Sequence, residues 1–276
     1  MPKLTVIHST YRKNKYVNES VRLNLLALKR ICIDFQYIVF NDHGDKSVYD
    51  DVKEFEPDIE YIYSEKNFGM TVCNGSWVGA LPYVKGEYIH ATGQDDIMTV
   101  LFYKRVLDHL EKNQDVYATF SNAFTTTENL KLKAFTISPT EHAKYNNKYF
   151  DPPDMAFKQW FGIAPPYKKF TRADNYVLAA GVIYRSVLHE LIGPPDIGFG
   201  GAIDFEYWAR ILFYGYRINY IAEPLWLYRQ SEFSAGNEVI GDKPNRGYWQ
   251  QLFIEKIKQK YEKLWNERMQ NEQTNR

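Results

Sequence analysis

The chain has 276 residues, a formal net charge of zero, 45% hydrophobic residues and 25% charged residues, as in an ordinary globular protein. Lys and Arg are spread along the chain and balanced by Asp and Glu, which disfavours a nucleic-acid partner, because such proteins usually carry a basic excess. No segment approaches the ~20 apolar residues that cross a bilayer, and no apolar signal region follows Met1. We therefore expect a cytoplasmic protein, with the inner face of the membrane as an alternative location.

Short β-type runs alternate with amphipathic helical patterns in the first half of the chain. Strands are predicted over residues 4–8, 35–40, 59–63, 86–91 and 116–120, with a helix in each interval between them. The first helical pattern places Val17, Val21, Leu25, Leu28 and Cys32 on one stripe. This alternation predicts an α/β fold with a mostly parallel central sheet flanked by helices. Cys32 and Cys73, both in predicted helices, are expected to be buried free thiols.

The pattern changes in the second half. Residues 125–174 are rich in Lys, Tyr, Asn and Pro without regular periodicity, which is typical of a lid or a substrate-recognition loop. Strands at 177–184 and 217–221 and helices at 186–191 and 203–214 follow. A helical tail over 248–268 presents one apolar ridge, formed by Trp249, Phe253, Ile257, Tyr261, Leu264 and Trp265. The ridge predicts packing on the rest of the chain or dimerisation, with a membrane surface as the alternative.

Polar clusters follow three of the predicted strands: Ser9-Thr10, Asn41-Asp42 and Asp95-Asp96. Because parallel strands end at one edge of a sheet, and ligands of open α/β sheets bind there, these clusters are expected to converge. Two adjacent carboxylates are unfavourable unless a positive charge neutralises them, and a divalent cation with hard oxygen ligands, Mg²⁺ or Mn²⁺, would do so. The alternative for Asp95-Asp96 is a helix N-cap with a solvated neighbour.

Two further acids carry two interpretations each. Asp42 suits recognition of a nucleobase or ribose, or else it forms a turn with Gly44. Asp204 lies in the first turn of a helix that follows Gly200-Gly201, where it suits a general base or a helix cap.

Several histidine and tryptophan residues are weaker candidates for a functional role. His8 and His90 lie within strands, so we expect core packing, and His43 reads as an exposed turn residue. Trp160 and Trp208 suit either sugar stacking or the core. The sequence has no His-Glu-x-x-His, P-loop or Gly-x-Ser-x-Gly motif, which leaves metalloprotease, P-loop and hydrolase functions unsupported.

Taken in order, these segments resemble the inverting, nucleotide-sugar-dependent glycosyltransferases of family 2, which have the GT-A fold. The similar segments are Ser9-Thr10-Tyr11-Arg12 after the first strand, Ile38-Val39-Phe40-Asn41-Asp42, Asn67-Phe68-Gly69, Gly86-Glu87-Tyr88-Ile89 with Asp95-Asp96, Ile203-Asp204 with Glu206 and Arg210, Gly215-Tyr216-Arg217-Ile218, and Leu227-Tyr228-Arg229. The family pattern differs at Asn41, Gln94 and Ile203, where it commonly has acids, and no Gln-x-x-Arg-Trp element is present. That last absence implies a single addition rather than processive synthesis.

The resemblance implies a role for each matching residue. A nucleotide-sugar donor, with UDP as the leading nucleotide, would be contacted by Thr10, Tyr11, Arg12, Asp42, Asn67, Gly69 and Asp95. Asp96 and Asp95 would bind Mn²⁺ or Mg²⁺, and Asp204 would be the catalytic base toward a glycan or other hydroxyl acceptor. Surface glycan or polysaccharide synthesis is the implied process.

The implied organisation has three parts: residues 1–124 as the nucleotide-sugar-binding half, 125–230 as the acceptor-binding half of the same domain, and 231–276 as a C-terminal helical extension. The alternatives are the same transferase acting on modified DNA or another phage or viral acceptor, a nucleotidyltransferase of related fold, and a binding module without turnover. A nucleotidyltransferase would usually have a Gly-rich loop after the first strand, which Ser9-Thr10-Tyr11-Arg12 lacks.

Overall fold

The computed structural model describes residues 1–11, 14–68, 74–136, 177, 179–231 and 246–274, with the backbone alone over 246–254. Its strands are β1 (Leu4–Thr10), β2 (Phe35–Asn41), β3 (Glu60–Tyr63), β4 (Tyr88–Thr92), β5 (Ile97–Met98), β6 (Val116–Thr126), β7 (Leu132–Phe135), β8 (Val182–Arg185) and β9 (Arg217–Arg229). Its α-helices are α1 (Val17–Ile31), α2 (Val48–Val52), α3 (Asn74–Ala80), α4 (Val100–Lys112), α5 (Leu188–Ile192), α6 (Ile203–Phe213) and α7 (Arg246–Thr274). Short 3₁₀ turns cover Lys53–Phe55, Leu81–Tyr83, Ala179–Gly181 and Ile197–Ala202.

The described strands form one sheet in the order β3-β2-β1-β4-β8-β6-β9-β5, and β7 pairs with β6 outside this path. β3, β2, β1 and β4 are mutually parallel, and β6 and β9 share their direction because the intervening β8 is antiparallel to both β4 and β6. β5 and β7 run the opposite way. The predicted α/β fold with a mostly parallel sheet flanked by helices is therefore confirmed. The edge of the sheet at which β1, β2 and β4 end is called the carboxyl edge below.

Two apolar cores cover the two faces of the sheet. One contains Val21 of α1 and Phe102 of α4, and the other contains Trp77 of α3, Phe205 of α6 and Tyr261 of α7. The predicted stripe of α1 is buried from Val17 to Leu28. Cys32, by contrast, is exposed, so its predicted burial is wrong.

The physical reason for the exposure of Cys32 is local. α1 ends at Ile31, and Cys32 turns the chain in the left-handed conformation with φ of 54°, which takes it out of the helical stripe. Cys73 lies outside the described residues.

Part of the segment predicted to be irregular is regular. β6 continues to Thr126 and pairs with β7 as an antiparallel hairpin, whereas residues 137–176 lie outside the described part of the chain. The strand predicted over 177–184 is shorter than expected, because residues 179–181 form a 3₁₀ turn. The proposed division after residue 124 falls within β6, and that division stays a prediction.

The tail forms a longer helix than predicted, and its ridge packs on the chain itself. Ile257, Tyr261 and Trp265 are buried, and the rings of Tyr261 and Trp265 lie 5.4 and 6.4 Å from that of Phe213 at the end of α6. This supports the predicted packing. Dimerisation and membrane contact through the tail stay predictions. No described helix combines the length and apolar character that crossing a bilayer requires.

His8 and His90 are core residues, as predicted. They lie on neighbouring strands and on the same face of the sheet, because His90 is paired with Val6, two positions before His8. His8 Nδ1 lies 3.0 Å from Tyr37 Oη, and His90 Nε2 lies 2.8 Å from the carbonyl oxygen of Ala180. Burial, with repulsion from His90, lowers the pKa of His8 to about 3, and burial lowers the pKa of His90 to about 4.

These lowered pKa values predict that the fold loses stability as the pH falls. A group whose pKa is lower in the folded state binds protons first in the unfolded chain, so its contribution to stability is complete above pH ~6.5 and is lost as the pH falls toward its folded pKa. Compared with His90→Gln, the wild-type protein should lose up to about 3 kcal/mol more unfolding free energy between pH 6.5 and 4. Urea denaturation across this range measures the difference, with His43→Gln as the exposed control. Parallel curves for wild type and His90→Gln would contradict the prediction.

Candidate active site

Asp95 and Asp96, called the acidic corner below, follow β4 at the carboxyl edge. Asp95 is half-buried and Asp96 is 5% exposed. Helix α1 fixes the backbone of this turn: the carbonyl oxygen of Asp96 accepts hydrogen bonds from Ser20 Oγ at 2.6 Å and Asn24 Nδ2 at 3.3 Å. Asn24 Oδ1 in turn accepts from the amide of Met98 at 2.7 Å. The acids thus sit on a turn whose backbone is joined to α1 by hydrogen bonds.

The acidic corner is electrostatically unfavourable by itself. Burial and the adjacent charge of Asp95 raise the pKa of Asp96 well above its usual range, while Arg229 acts in the opposite direction. Asp96 Oδ1 is buried and has no hydrogen-bond partner among the residues that the structure describes. A Cβ at Gly93 would lie 3.0 Å from Asp96 Oδ2 and 3.7 Å from Asp95 Oδ1, so glycine keeps the space beside both carboxylates open. Such a site favours a cation.

Arg229, at the end of β9, is 2% exposed and contacts the backbone of the acidic corner. Its Nε donates to the carbonyl oxygen of Asp95 at 3.2 Å, and its two terminal nitrogens donate to the carbonyl oxygen of Glu128 at 3.0 Å and to the carboxylate of Glu19 at 2.5 Å. The guanidinium also lies 4.2 Å from the ring centre of Tyr16. Because each of the three guanidinium nitrogens donates a hydrogen bond to the protein, we interpret Arg229 as a positioning residue.

Ser231 is a second residue to which sequence analysis gave no role. It is buried, and its Oγ donates to Asp95 Oδ2 at 3.2 Å. For Arg229 the signal was the Tyr-Arg ending of the resemblance, which did not indicate what the side chain contacts, whereas no sequence signal marked Ser231.

The ends of β1, β2 and β4 come together beside the acidic corner. The amide of Asp42 donates to the carbonyl oxygen of Thr10 at 3.0 Å, and the amide of Tyr11 donates to Gln94 Oε1 at 3.4 Å. The buried Asp42 carboxylate accepts from the amide of Phe68 at 2.7 Å through Oδ1. The structure therefore brings the predicted nucleotide-side segments into one neighbourhood at the carboxyl edge.

The remaining predicted donor contacts differ in exposure. Thr10 is fully buried and its hydroxyl donates to the carbonyl oxygen of Phe40 at 3.3 Å, so its side chain joins β1 to β2. Tyr11 and Asn67 are exposed. Arg12 and Gly69 lie outside the described residues. Contact of any of these residues with a donor stays a prediction.

Asn41 explains one departure from the family pattern. Its Nδ2 donates to the carbonyl oxygen of Asp45 at 2.8 Å and to Tyr61 Oη at 3.0 Å, and its Oδ1 accepts from the amide of Gly44 at 2.8 Å. A carboxylate has no hydrogen to donate to the Asp45 carbonyl. Gly44 is needed in this turn because a Cβ there would lie only 1.7 Å from the carbonyl oxygen of Tyr11. Asn41 therefore shapes the turn that presents Asp42.

Asp204 is half-buried in the first turn of α6, and its Oδ1 accepts from the amide of Phe205 at 2.8 Å. Gly200, with φ of 49°, redirects the chain just before this helix. Three residues separate the end of α6 from the start of β9, which is in register with the start of β6, at the edge opposite the carboxyl edge. The last turn of α6 therefore lies near that opposite edge, and the first turn, which holds Asp204, is about 16 Å further along the helix axis. The role of Asp204 as base stays a prediction.

Trp208 belongs to the core rather than to a sugar platform. It is 1% exposed, its ring centre lies 5.7 Å from that of Trp77, and its Nε1 donates to the carbonyl oxygen of Val177 at 3.2 Å. Trp160 lies outside the described residues. Among the residues that the structure describes, no three His, Cys, Asp or Glu side chains gather as metal ligands. A cation at the acidic corner would therefore need further ligands from a bound substrate or water.

Comparison with known proteins identifies the fold and the class of enzyme. The chain is 22% identical over 233 residues to the uncharacterized glycosyltransferase MJ1057 of Methanocaldococcus jannaschii, covering 83% of this chain and 71% of that protein. TarS of S. aureus (residues 1–349), solved with UDP-GlcNAc, superimposes with a TM-score of 0.59 at 15% identity, covering 86% of this chain and 62% of TarS.

A second solved structure is the mannosyltransferase PcManGT of Pyrobaculum calidifontis with GDP-Man and Mn²⁺, with a TM-score of 0.55, 16% identity, and coverage of 90% of this chain and 59% of that one. This chain thus spans about three fifths of both solved neighbours. Both have the GT-A fold of glycosyltransferases, which is also the fold of this chain.

The family model described as Glycosyl transferase family 2 matches residues 5–170, which is more than half of the chain and includes the acidic corner and Asp42. The chain is a glycosyltransferase and belongs to glycosyl transferase family 2.

Proposed function

We propose that this glycosyltransferase moves one sugar from a nucleoside-diphosphate sugar, with UDP as the leading nucleotide, to an acceptor hydroxyl with inversion at the anomeric carbon. The observation that carries the proposal is the acidic corner with its buried Asp96 at the carboxyl edge, next to the Asp42 turn, in a member of this family. TarS was solved with UDP-GlcNAc and PcManGT with GDP-Man, so both nucleotides are reasonable probes. The acceptor we propose is a glycan hydroxyl, in surface glycan or polysaccharide synthesis.

The residues of the acidic corner fit a divalent cation. Asp96 Oδ1 is buried and accepts no hydrogen bond from the described part of the chain, and Gly93 leaves room beside both carboxylates. Carboxylate oxygens are ligands that suit Mn²⁺ or Mg²⁺. Asp96 and Asp95 would hold such an ion, as is consistent with the Mn²⁺ in the PcManGT structure. When bound, the cation would stabilise the negative charge that collects on the departing diphosphate.

Side chains of the protein would bind the donor nucleotide and activate the acceptor hydroxyl. The Asp42 carboxylate, held by the amide of Phe68, would accept hydrogen bonds from the nucleobase or ribose, and the exposed ring of Tyr11 would pack against the same group. Asp204 would take the proton from the attacking acceptor hydroxyl. Attack from the face opposite the leaving diphosphate is a single displacement, which inverts the anomeric centre.

Calorimetry with UDP, UDP-GlcNAc and GDP-mannose, each with Mn²⁺, with Mg²⁺ and with EDTA, tests the donor and metal proposals together. We expect a uridine nucleotide to bind at least about tenfold more tightly with Mn²⁺ than with EDTA, a gain of about 1.4 kcal/mol. Equal binding in EDTA would contradict the metal proposal. Tight binding of the guanosine nucleotide alone would contradict the choice of UDP.

Stereochemistry needs a separate measurement. With an active donor and acceptor, NMR of the newly formed linkage should show the anomeric configuration opposite to that of the donor. Retention would contradict the single displacement and the role of Asp204 as base.

A further inference from the structure

Glu206 lies two residues after Asp204 on α6, and its carboxylate is completely buried. Oε1 accepts from Arg210 Nε at 3.1 Å, Lys260 Nζ at 3.0 Å and Tyr261 Oη at 2.8 Å, and Oε2 accepts from the Arg210 guanidinium at 2.5 Å. We call Glu206, Arg210, Lys260 and Tyr261 the Glu206 cluster. Two donor nitrogens belong to Arg210 on α6 itself, and the other two donors, Lys260 and Tyr261, lie on α7, more than 50 residues further along the chain.

The charges in the cluster explain why α7 is held at this point. A buried carboxylate is costly unless it is paired and hydrogen-bonded, and Arg210 provides a bidentate partner on the same helix. Lys260 and Tyr261 add contacts that the carboxylate can receive only if α7 is docked. Burial, together with the charge of Glu206, raises the pKa of Tyr261, so its hydroxyl keeps its proton and donates.

α7 also contacts the other end of α6. Arg268 donates to the carbonyl oxygen of Phe213, the last residue of α6, at 3.3 Å. The rings of Tyr261 and Trp265 pack against the ring of Phe213. Contacts near both ends of α6 restrict its sliding and its rotation about its own axis.

Rotation matters because of where Asp204 and Glu206 project. Successive residues of an α-helix are about 100° apart, so two positions along the helix are about 200° apart. When Glu206 faces α7, Asp204 therefore faces almost the opposite way. A small rotation of α6 at the Glu206 cluster would swing the Asp204 carboxylate by the same angle.

We infer that α7 is a positioning element for the catalytic base: Lys260 and Tyr261 hold Glu206, and through it they set the direction of Asp204. This inference rests on the proposed role of Asp204. Neither Lys260 nor Tyr261 would touch the substrate, so each is a positioning residue. The contribution should appear in the rate of the chemical step rather than in donor binding, because the acidic corner and Asp42 lie on other elements.

The test is the double variant Lys260→Met/Tyr261→Phe, which removes both α7 donors while keeping their apolar parts. Turnover is followed as release of nucleoside diphosphate from UDP-GlcNAc or GDP-mannose, whichever the calorimetric panel shows to bind. We expect kcat to fall about tenfold, with the donor KM and the calorimetric Kd of the free nucleotide within about twofold of wild type. Lys263→Met, on the exposed face of α7, is the matched control and should keep the wild-type kcat.

The single variant Tyr261→Phe removes one oxygen atom and is the fallback if the double variant unfolds; its kcat should fall about threefold. Lys260→Arg, which keeps a cationic donor, should recover most of the rate lost in Lys260→Met. A wild-type kcat in both the double variant and Tyr261→Phe overturns the inference, as does a parallel loss of kcat and nucleotide affinity, which would show a general structural defect.

The Asp204→Asn variant separates the two possible failures. If it loses transfer while the cluster variants keep their kcat, only the positioning inference fails. If it transfers sugar normally, the base assignment fails and the inference that depends on it fails too.

Discussion

Asp204→Asn is expected to lower the transfer rate by about 10²–10⁴-fold while leaving donor affinity within about twofold of wild type. The amide has nearly the shape of the carboxylate and can still accept from the amide of Phe205, as Asp204 Oδ1 does at 2.8 Å. What it loses is the ability to take a proton from the acceptor hydroxyl. Initial rates of nucleoside diphosphate release with acceptor, together with calorimetric titration of UDP, measure the two quantities separately.

A matched control is Asp108→Asn, which makes the same chemical change to a surface acid on α4 that pairs with Lys104. It should transfer sugar at the wild-type rate. If Asp204→Asn also does so, Asp204 is not the base. If it loses rate and donor affinity equally, its role lies in binding instead.

Asp96→Asn is expected to weaken Mn²⁺-dependent donor binding about 100-fold, or by about 2.7 kcal/mol, because it replaces a charged ligand by a weak neutral one. The same change should stabilise the metal-free protein. Burial and the neighbouring charge of Asp95 raise the pKa of Asp96, and its Oδ1 has no hydrogen-bond partner within the described ranges of the chain. The neutral amide therefore relieves an unfavourable charge. Calorimetry in Mn²⁺ and thermal unfolding in EDTA would show the two opposite effects.

Asp95, the half-buried neighbour of Asp96, provides a comparison for the stability of the metal-free protein. Asp95 already accepts from Ser231, so Asp95→Asn should stabilise the metal-free protein less than Asp96→Asn does. Unchanged donor affinity in Asp96→Asn, with its Mn²⁺ dependence intact, would remove Asp96 from the metal site. A lower melting temperature in EDTA would show that its carboxylate is structural.

The neighbourhood of the candidate site was predictable because it depends on local patterns and one topological rule. Parallel strands joined by helices end at one edge, so the acids after β2 and β4 had to lie near each other. The stripe of α1 followed in the same way from helical periodicity and places Asn24 beneath the acidic corner. Neither prediction required knowledge of distant side-chain contacts.

The contacts that position the site were not predictable, because they join residues far apart in the chain. Arg229 and Ser231 reach Asp95 across 134 and 136 positions, and no periodic pattern encodes such a meeting. Glu206 carried a family-like position, yet the structure directs it to Tyr261 of α7 rather than to solvent or a ligand. Burial of a charged residue is decided by its distant partners, which a local pattern does not contain.

The burial of α7 bears on how the boundaries of this enzyme should be drawn. The family model matches residues 5–170, but Ile257, Tyr261 and Trp265 of α7 fill the same apolar interior as Trp77, which lies within those residues. Shortening the chain before α7 would uncover aromatic surface and leave the Glu206–Arg210 pair open to water. The packed interior of this protein thus extends beyond the residues that the family model matches, and a fusion or truncation should keep α7.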